Sequence, residues 1–293
     1  MDCYLFAPAG TFDPAILNQR MARLQQYFAL VHYSPMPTAG YFAGSLSDRV
    51  AQIQQALRLI ENKGEPAWLM AVRGGYGAID LLPQIPDLAS DTPIVLSGFS
   101  DMSVLLNTWG RSDSVCPVYG LNALTSFAPE VDPTSIGAIT RIIEQPYQFQ
   151  YSGSELQTVQ ILNPGRMQGE IVGGCLTVFM TTIGTPFVPD VRGKILFFED
   201  VNEPAYKIDR MLGQLAYGGY LDHLAGAIFG DFSGGEATGH LPLEGVIAKY
   251  FGGRQYPVLY NFPMGHGNRQ LPVVFYRNTE IVAKNGKIDW RYG

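Results

Sequence analysis

Short apolar runs alternate with amphipathic stretches through the first half of the chain. The apolar runs lie at residues 3–6, 30–33, 68–72, 94–96 and 115–119. Between the first runs, apolar residues recur at helical spacing from Leu17 to Phe28 and from Val50 to Ile60. Strands that alternate with helices indicate βαβ units, which predicts a parallel sheet. Right-handed crossovers should bring the loops at 8–11, 73–77 and 98–101 to one edge of that sheet.

The pattern changes beyond residue 131 and becomes richer in strands. One more helix is predicted through Ile143, and polar sequence follows it. We place a linker at 146–160, which separates an N-terminal α/β domain at 1–145 from a C-terminal domain at 161–293. In the C-terminal part, the runs at 194–198, 225–229 and 258–261 predict strands, and the segment 273–288 alternates like a hairpin.

Composition narrows the possible functions. The chain has 293 residues, 46% of them hydrophobic and only 16% charged, which is typical of a globular protein with room for two cores. A net charge of −6 argues against a nucleic-acid-binding protein. No apolar run is long enough for a membrane span, and the first residues lack the positive segment of a signal peptide. Three widely spaced cysteines predict neither a disulfide framework nor a metal site, so we expect a cytoplasmic protein without a cofactor.

One predicted loop carries a serine in the setting of a catalytic nucleophile. Ser100 lies between an apolar run and a helix pattern, in the sequence Gly98-Phe99-Ser100-Asp101. This resembles a nucleophile elbow, which exposes a serine hydroxyl at the sheet edge, although Met102 stands where the closing glycine is expected. Serine is also a preferred N-cap residue, and the spacing alone favours a cap of the helix that begins near Met102. Ser97 and Ser103 are weaker candidates for the nucleophile.

The loop before it, Arg73-Gly74-Gly75-Tyr76-Gly77, is rich in glycine. Glycines let a backbone approach a ligand closely, which suits oxyanion donors or a phosphate. The spacing matches neither a dinucleotide fingerprint nor a Walker A loop, so a phosphate site is weakly supported. A turn without a chemical role is an equally good interpretation.

Two further residues could complete a catalytic set. Glu199 ends an apolar run, and His266 lies between two glycines after another apolar run. A serine hydroxyl needs a base, and that base needs an orienting carboxylate. Taken singly, each residue is more often structural, Glu199 in a cap or salt bridge and His266 as a loop histidine. Glu203 is a competing carboxylate.

A series of motifs follows in order along nearly the whole chain. They are Tyr41-Phe42-Ala43-Gly44, Asp48-Arg49, the glycine loop at 73–77, the serine loop at 98–101, Gly173-Gly174, Gly184-Thr185-Pro186, residues 195–201, residues 209–212 and Gly265-His266. Together they resemble the LD-carboxypeptidases of serine peptidase family S66, which also contains the microcin C7 self-immunity peptidases.

The resemblance implies roles for these residues. Ser100 would be the nucleophile, His266 the general base and Glu199 the residue that orients it. The Asp101 amide and an amide of Gly74 or Gly75 would form the oxyanion hole. The implied fold is a flavodoxin-like N-terminal domain and a β-rich swivelling C-terminal α/β domain, with the site at their junction. The implied assembly is a homodimer.

The implied activity is removal of the terminal D-alanine from a muropeptide tetrapeptide in peptidoglycan recycling. Arg73 is our candidate for binding the free carboxylate of such a substrate. There are two alternatives: a microcin-immunity-like peptidase acting on peptidyl- or aminoacyl-nucleotides, and a non-catalytic module that binds cell-wall fragments. The chain departs from the family pattern at Cys175 and at Val273-Val274, which could alter substrate fit. We interpret Cys175 as a small buried residue rather than a second nucleophile.

Overall fold

The computed structural model describes residues 1–35, 38–234 and 242–292, which form two sheets with helices around them. The helices are α1 (Pro14–Leu24), α2 (Leu46–Lys63), α3 (Ser103–Trp109), α4 (Pro133–Glu144), α5 (Leu176–Met180), α6 (Ala205–Tyr217) and α7 (Leu243–Phe251). The strands are β1 (Asp2–Phe6), β2 (Val31–Tyr33), β3 (Ala67–Ala71), β4 (Ile94–Gly98), β5 (Val115–Tyr119), β6 (Gln160–Asn163), β7 (Gly165–Cys175), β8 (Ile195–Val201), β9 (Gly226–Ser233), β10 (Val258–Tyr260), β11 (Val273–Val274), β12 (Asn278–Lys284) and β13 (Lys287–Tyr292).

The first sheet has the strand order β11-β5-β4-β3-β1-β2, and β1 to β5 are parallel. This is the flavodoxin-like order, so the predicted fold class is confirmed. The edge strand β11 comes from the distant C-terminal part of the chain and pairs antiparallel with β5. Val273-Val274 therefore completes the N-terminal sheet, and the hairpin expected at 273–288 is formed instead by β12 and β13.

Capping residues mark the ends of the first two helices. Asp13 caps α1 through a bond from the Ala15 amide, and Pro14 occupies the first turn. Ser45 and Asp48 form a capping box at the start of α2, and Gly64 ends that helix in a left-handed conformation. After Gly77 the chain forms only a 3-10 turn, at Ala78–Leu81.

The second sheet is mixed and has the order β13-β12-β7-β8-β9-β10-β6. Its centre, β7 to β10, is parallel, whereas β6, β12 and β13 pair antiparallel with their neighbours. The parallel centre explains why the runs in these strands are continuously apolar, because both faces are covered. The C-terminal part is thus the strand-rich α/β unit that the sequence predicted.

Hydrogen bonds tie the two sheets together next to α3. The side-chain amide of Asn107 donates to the Gly173 carbonyl at 2.6 Å, and its oxygen accepts from the Gly173 amide at 3.1 Å. The Ser103 hydroxyl accepts from the Cys175 amide at 2.9 Å. Residues 146–159 contain no helix or strand, yet Phe149 and Leu156 are buried. These contacts hold the carboxyl ends of β4 and β8 on either side of one seam.

Candidate active site

Ser100 lies directly after β4 in a strained backbone conformation. Its φ of 63° falls in the left-handed region, which a residue with a Cβ adopts at a free-energy cost of about 1 kcal/mol or more. The cap interpretation of Ser100 is wrong, because α3 begins at Ser103 and neither α3 nor the preceding 3-10 turn has a side-chain cap. The strained strand-to-helix turn has the form of a nucleophile elbow.

The glycine loop contacts the serine loop through its backbone. A Cβ placed on Gly74 would lie 2.9 Å from the Phe99 carbonyl oxygen and 3.0 Å from the Ser100 Cβ. Only a glycine fits this contact without a shift of the serine loop. The Gly74 carbonyl accepts from the Gly10 amide at 3.3 Å, so the loops at 8–11, 73–77 and 98–101 are neighbours, as predicted.

Three backbone amides of the glycine and serine loops are the predicted oxyanion donors. Within the described part of the chain, the amides of Gly74 and Gly75 donate to no protein acceptor. The Asp101 amide lies in the first turn after the serine, where an N–H group has no partner inside the helix. The side chain of Asp101 points elsewhere and accepts from the Ala78 amide at 2.8 Å. Of the predicted oxyanion donors, Gly74 and Asp101 lie beside the serine, since a Cβ on Gly74 would be 3.0 Å from the Ser100 Cβ and 3.3 Å from the Asp101 amide nitrogen.

Glu199 and His266 form a hydrogen-bonded pair. The His266 Nδ1 atom lies 2.8 Å from the Glu199 Oε2 atom, and the Glu199 side chain is fully buried while 21% of His266 is exposed. The register between β8 and β9 shifts at this point, as at a β-bulge, which re-aims side chains. A Cβ on Gly265 would lie 2.9 Å from Glu199 Oε2, so glycine there allows the histidine loop to approach.

Tyr119 is the residue that the sequence analysis missed. It ends β5, is completely buried, and its hydroxyl donates to Glu199 Oε1 at 2.5 Å. The same hydroxyl accepts from the Ser100 amide at 3.1 Å. In the sequence, Tyr119 stands out through its place at the end of an apolar run. In the structure it lies at the carboxyl end of β5, in register with Gly98.

Direct contacts join some of the candidate residues but not Ser100 and His266. The Phe99 ring meets the His266 ring edge-on, with centroids 5.3 Å apart. Ser100 and His266, both among the described residues, share no hydrogen bond in this structure. Catalytic hydrogen bonds are often long in ligand-free enzymes and shorten when substrate binds. The three residues thus meet at one seam, with Tyr119 and Phe99 between them.

The buried carboxylate controls the protonation of the histidine. Burial lowers the pKa of His266, but the hydrogen bond and charge of Glu199, together with Asp200 and Asp231, raise it above its ordinary value. Burial raises the pKa of Glu199, whereas the bonds from His266 and Tyr119 lower it, with a net rise. A raised Glu199 pKa favours a pair in which both groups are neutral. A raised His266 pKa favours a pair of carboxylate and imidazolium. Both Glu199 oxygens accept hydrogen bonds, which stabilises the carboxylate, and this negative charge raises the pKa of His266.

The other candidates lie around this centre. Arg73 is exposed and donates to the Thr11 carbonyl at 3.2 Å, which leaves other guanidinium donors for a ligand. Cys175 is 5% exposed, and burial raises the pKa of its thiol well above the ordinary value, so it is an inert buried residue, as predicted. Glu203 pairs with Lys207 at 3.0 Å, whereas Glu199 is the carboxylate that meets the histidine.

The described ranges hold neither a metal cluster nor a membrane-spanning helix. No cluster of three or more histidine, cysteine or acidic residues there could hold a metal ion. No helix in that part of the chain is long and apolar enough to cross a membrane.

Family models match both halves of the chain. The LD-carboxypeptidase N-terminal domain matches residues 4–120, and the LD-carboxypeptidase C-terminal domain matches residues 168–281. The chain belongs to the LD-carboxypeptidase family. The resemblance seen in the sequence motifs is therefore confirmed, and the family is one of peptidases.

Individual relatives agree with the family assignment. A probable murein peptide carboxypeptidase of Bacillus subtilis is 30% identical over 276 residues, which cover 92% of this chain and 85% of that protein. A murein tetrapeptide carboxypeptidase of Pseudomonas aeruginosa is 28% identical over 307 residues, covering 98% and 94%.

Two solved structures have the same fold. The muramoyltetrapeptide carboxypeptidase of Oxalobacter formigenes superposes with a TM-score of 0.80 at 21% identity, over 100% of this chain and 99% of that one. The microcin C7 self-immunity protein MccF superposes with a TM-score of 0.81 at 19% identity, over 100% and 96%. At these identities the likeness concerns the fold of the family and not the substrate.

Proposed function

We propose that this protein is a serine-type LD-carboxypeptidase that releases the terminal D-alanine from muropeptide tetrapeptides, in the cytoplasm, during peptidoglycan recycling. The observation that carries the proposal is the buried Glu199–His266 hydrogen bond of 2.8 Å, located across the seam from the strained serine. The tetrapeptide relative supports the substrate class.

In the first step, Ser100 attacks the carbonyl carbon before the terminal D-alanine. The hydroxyl proton passes to His266 Nε2, the Oγ–C bond forms, and the carbonyl electron pair moves to oxygen. The amides of Asp101 and of Gly74 or Gly75 donate to that oxyanion. When the intermediate collapses, the C–N bond breaks and the amine of D-alanine leaves with the proton from His266.

In the second step, water hydrolyses the acyl-enzyme. The water oxygen attacks the ester carbon while His266 takes a proton from that water. His266 then gives this proton to the Ser100 oxygen as the ester bond breaks. Glu199 stays a carboxylate throughout and stabilises the transient imidazolium. The free carboxylate of the substrate is assigned to Arg73, which the structure leaves exposed.

Digestion of purified muropeptides followed by mass spectrometry tests this proposal. Wild-type protein should shorten a tetrapeptide to a tripeptide by one D-alanine and should leave an all-L analogue intact. An intact tetrapeptide after long incubation with folded protein would rule out the proposed activity.

Two competing functions make different predictions in the same assay. Because the fold is shared with MccF, an aminoacyl sulfamoyl-adenylate is the substrate to compare, and its preferred hydrolysis would favour an immunity-like peptidase. A non-catalytic module would bind fragments without cleaving them and would resist labelling by a serine-reactive phosphonate. The homodimer stays a prediction, which light scattering on the purified protein tests.

A further inference from the structure

The hydroxyl of Tyr119 lies between two groups of the candidate site. On one side it contacts the Ser100 amide at 3.1 Å, and on the other it contacts Glu199 Oε1 at 2.5 Å. Ser100 belongs to the first sheet and Glu199 to the second, so this phenol is a polar link across the seam that joins them.

The chemistry of the three groups fixes the direction of both bonds. A backbone amide can only donate, so the Tyr119 oxygen must accept from Ser100. The phenol has one proton, which therefore goes to Glu199 Oε1. The other carboxyl oxygen, Oε2, faces His266 Nδ1 at 2.8 Å. With both oxygens accepting, Glu199 is a carboxylate, the ring proton is on Nδ1, and Nε2 keeps the lone pair that a base needs.

We propose that Tyr119 is a positioning residue that holds Glu199 as a carboxylate and keeps His266 in the tautomer that presents Nε2 to Ser100. The assignment of Ser100 and His266 as nucleophile and base rests on the proposed function. The link between Tyr119 and the protonation of His266 rests on the observed contacts alone.

A packing role would be the simpler explanation, and it can be separated from the proposal. The Tyr119 ring stacks on Phe275 with centroids 5.5 Å apart and planes at 8°, and it meets Phe99 and Phe197 edge-on. A phenylalanine would keep all three ring contacts. Tyr119→Phe therefore removes the hydroxyl and leaves the packing.

The sign of the expected change follows from charge. The titratable groups around His266 and Glu199 are Asp200 on β8, Asp231 on β9, Cys175 at the end of β7 and Tyr119 itself. The hydrogen bond that Tyr119 donates to Glu199 stabilises the Glu199–His266 pair most when the pair carries a net charge of −1, that is, when His266 is neutral. Its removal should make proton uptake easier and move the His266 titration to higher pH.

The direct test is an NMR titration of the His266 ring in the wild type and in Tyr119→Phe. The variant should titrate at higher pH than the wild type. Tyr256→Phe is the control, because it loses a tyrosine bond to the Leu221 carbonyl at 2.9 Å and should leave the His266 titration unchanged. Equal His266 titrations in the wild type and Tyr119→Phe would overturn the proposal.

Kinetics provide the second readout. Tyr119→Phe should lower kcat by roughly 10- to 100-fold with little change in KM, and the acid limb of the pH profile should move to higher pH. Combined with Glu199→Gln, the loss should be far from additive, because both changes act on the same carboxylate. Fully additive losses would contradict action through Glu199.

The two proposals fail in different ways. If the wild type hydrolyses no muropeptide but its His266 titration shifts in Tyr119→Phe, the proposed function is wrong and the role of Tyr119 stands. If the enzyme cleaves muropeptides and the titration does not shift, the function stands and the role of Tyr119 is wrong.

Discussion

Ser100 and Glu199 both lie at the carboxyl edge of a parallel strand, yet the two edges contribute in different ways. On the first sheet, the backbone prepares the site: φ of Ser100 is 63°, and Gly74 packs against the serine loop without a side chain. On the second sheet, buried side chains prepare it, through the Glu199–His266 pair. One edge thus supplies geometry and the other supplies proton chemistry.

This contrast leads to a general expectation about variants. Changes to the serine and glycine loops of the first edge should lower the rate at every pH, because they displace reacting atoms. Tyr119, which also ends a strand of the first sheet, is the exception, because its hydroxyl contacts Glu199. Changes on the second edge should alter the pH dependence as well, because they alter the pair that carries the proton.

The largest effect is expected for Ser100→Ala. Loss of the proposed nucleophile should lower kcat by about 10³-fold or more and abolish labelling by a fluorophosphonate. The His266 titration should survive, since the Glu199 contact does not involve the serine side chain. Near wild-type turnover of a tetrapeptide would remove Ser100 from its role.

Glu199→Gln should come next, with a loss of roughly 10²- to 10⁴-fold in kcat. The amide has one accepting oxygen where the carboxylate has two, so its NH2 group would face a donor, either the His266 Nδ1 proton or the Tyr119 hydroxyl. Because the negative charge is gone, the His266 titration should move to lower pH. A kcat within twofold of the wild type would contradict the role of Glu199 in the proton chemistry.

Gly74→Ala tests the first edge. The new Cβ would lie within about 3 Å of Phe99 and Ser100 atoms, so the serine loop must shift. We expect kcat to fall by roughly 10- to 100-fold, as when one oxyanion donor is misplaced, with an unchanged pH profile. Gly153→Ala is the matched control, since no atom lies within 4 Å of a Cβ at that position. Equal kcat values for the two variants would contradict the role of the glycine loop.

The pH profile of the wild type tests the second edge, where Glu199 pairs with His266. His266 must be neutral to accept a proton, and the carboxylates around it raise its pKa above 6.5. Activity should therefore fall as the pH drops through that raised pKa and should reach a plateau at higher pH. An acid limb of kcat/KM centred below 6.5 would show that the Glu199 charge does not dominate.

The smallest effect is expected for Arg73→Gln. Arg73 is exposed, and a solvated charge contributes little, so KM for peptide acids should rise several-fold with an unchanged kcat. Arg58→Gln, an exposed arginine on α2, is the control. If KM is equal in both variants, the substrate carboxylate binds elsewhere.

Local pattern was enough to predict much of the fold. The run at 115–119 is the whole of β5, and the caps of α1 and α2 follow from Asp13, Pro14 and Gly64. Strand alternation also predicted that the loops at 8–11, 73–77 and 98–101 meet, because a parallel sheet directs such loops to one edge. These features depend on neighbours in the sequence, which the pattern contains.

Other features depend on contacts between residues far apart along the chain, which a local pattern does not contain. The pattern predicted a parallel sheet, a serine at its edge and two residues suited to a proton relay. The folded chain decided that Val273-Val274 completes the first sheet and that Ser100 is strained rather than a cap. It also placed Tyr119 between the serine amide and Glu199, because hydrogen bonds across the seam depend on how the two sheets pack.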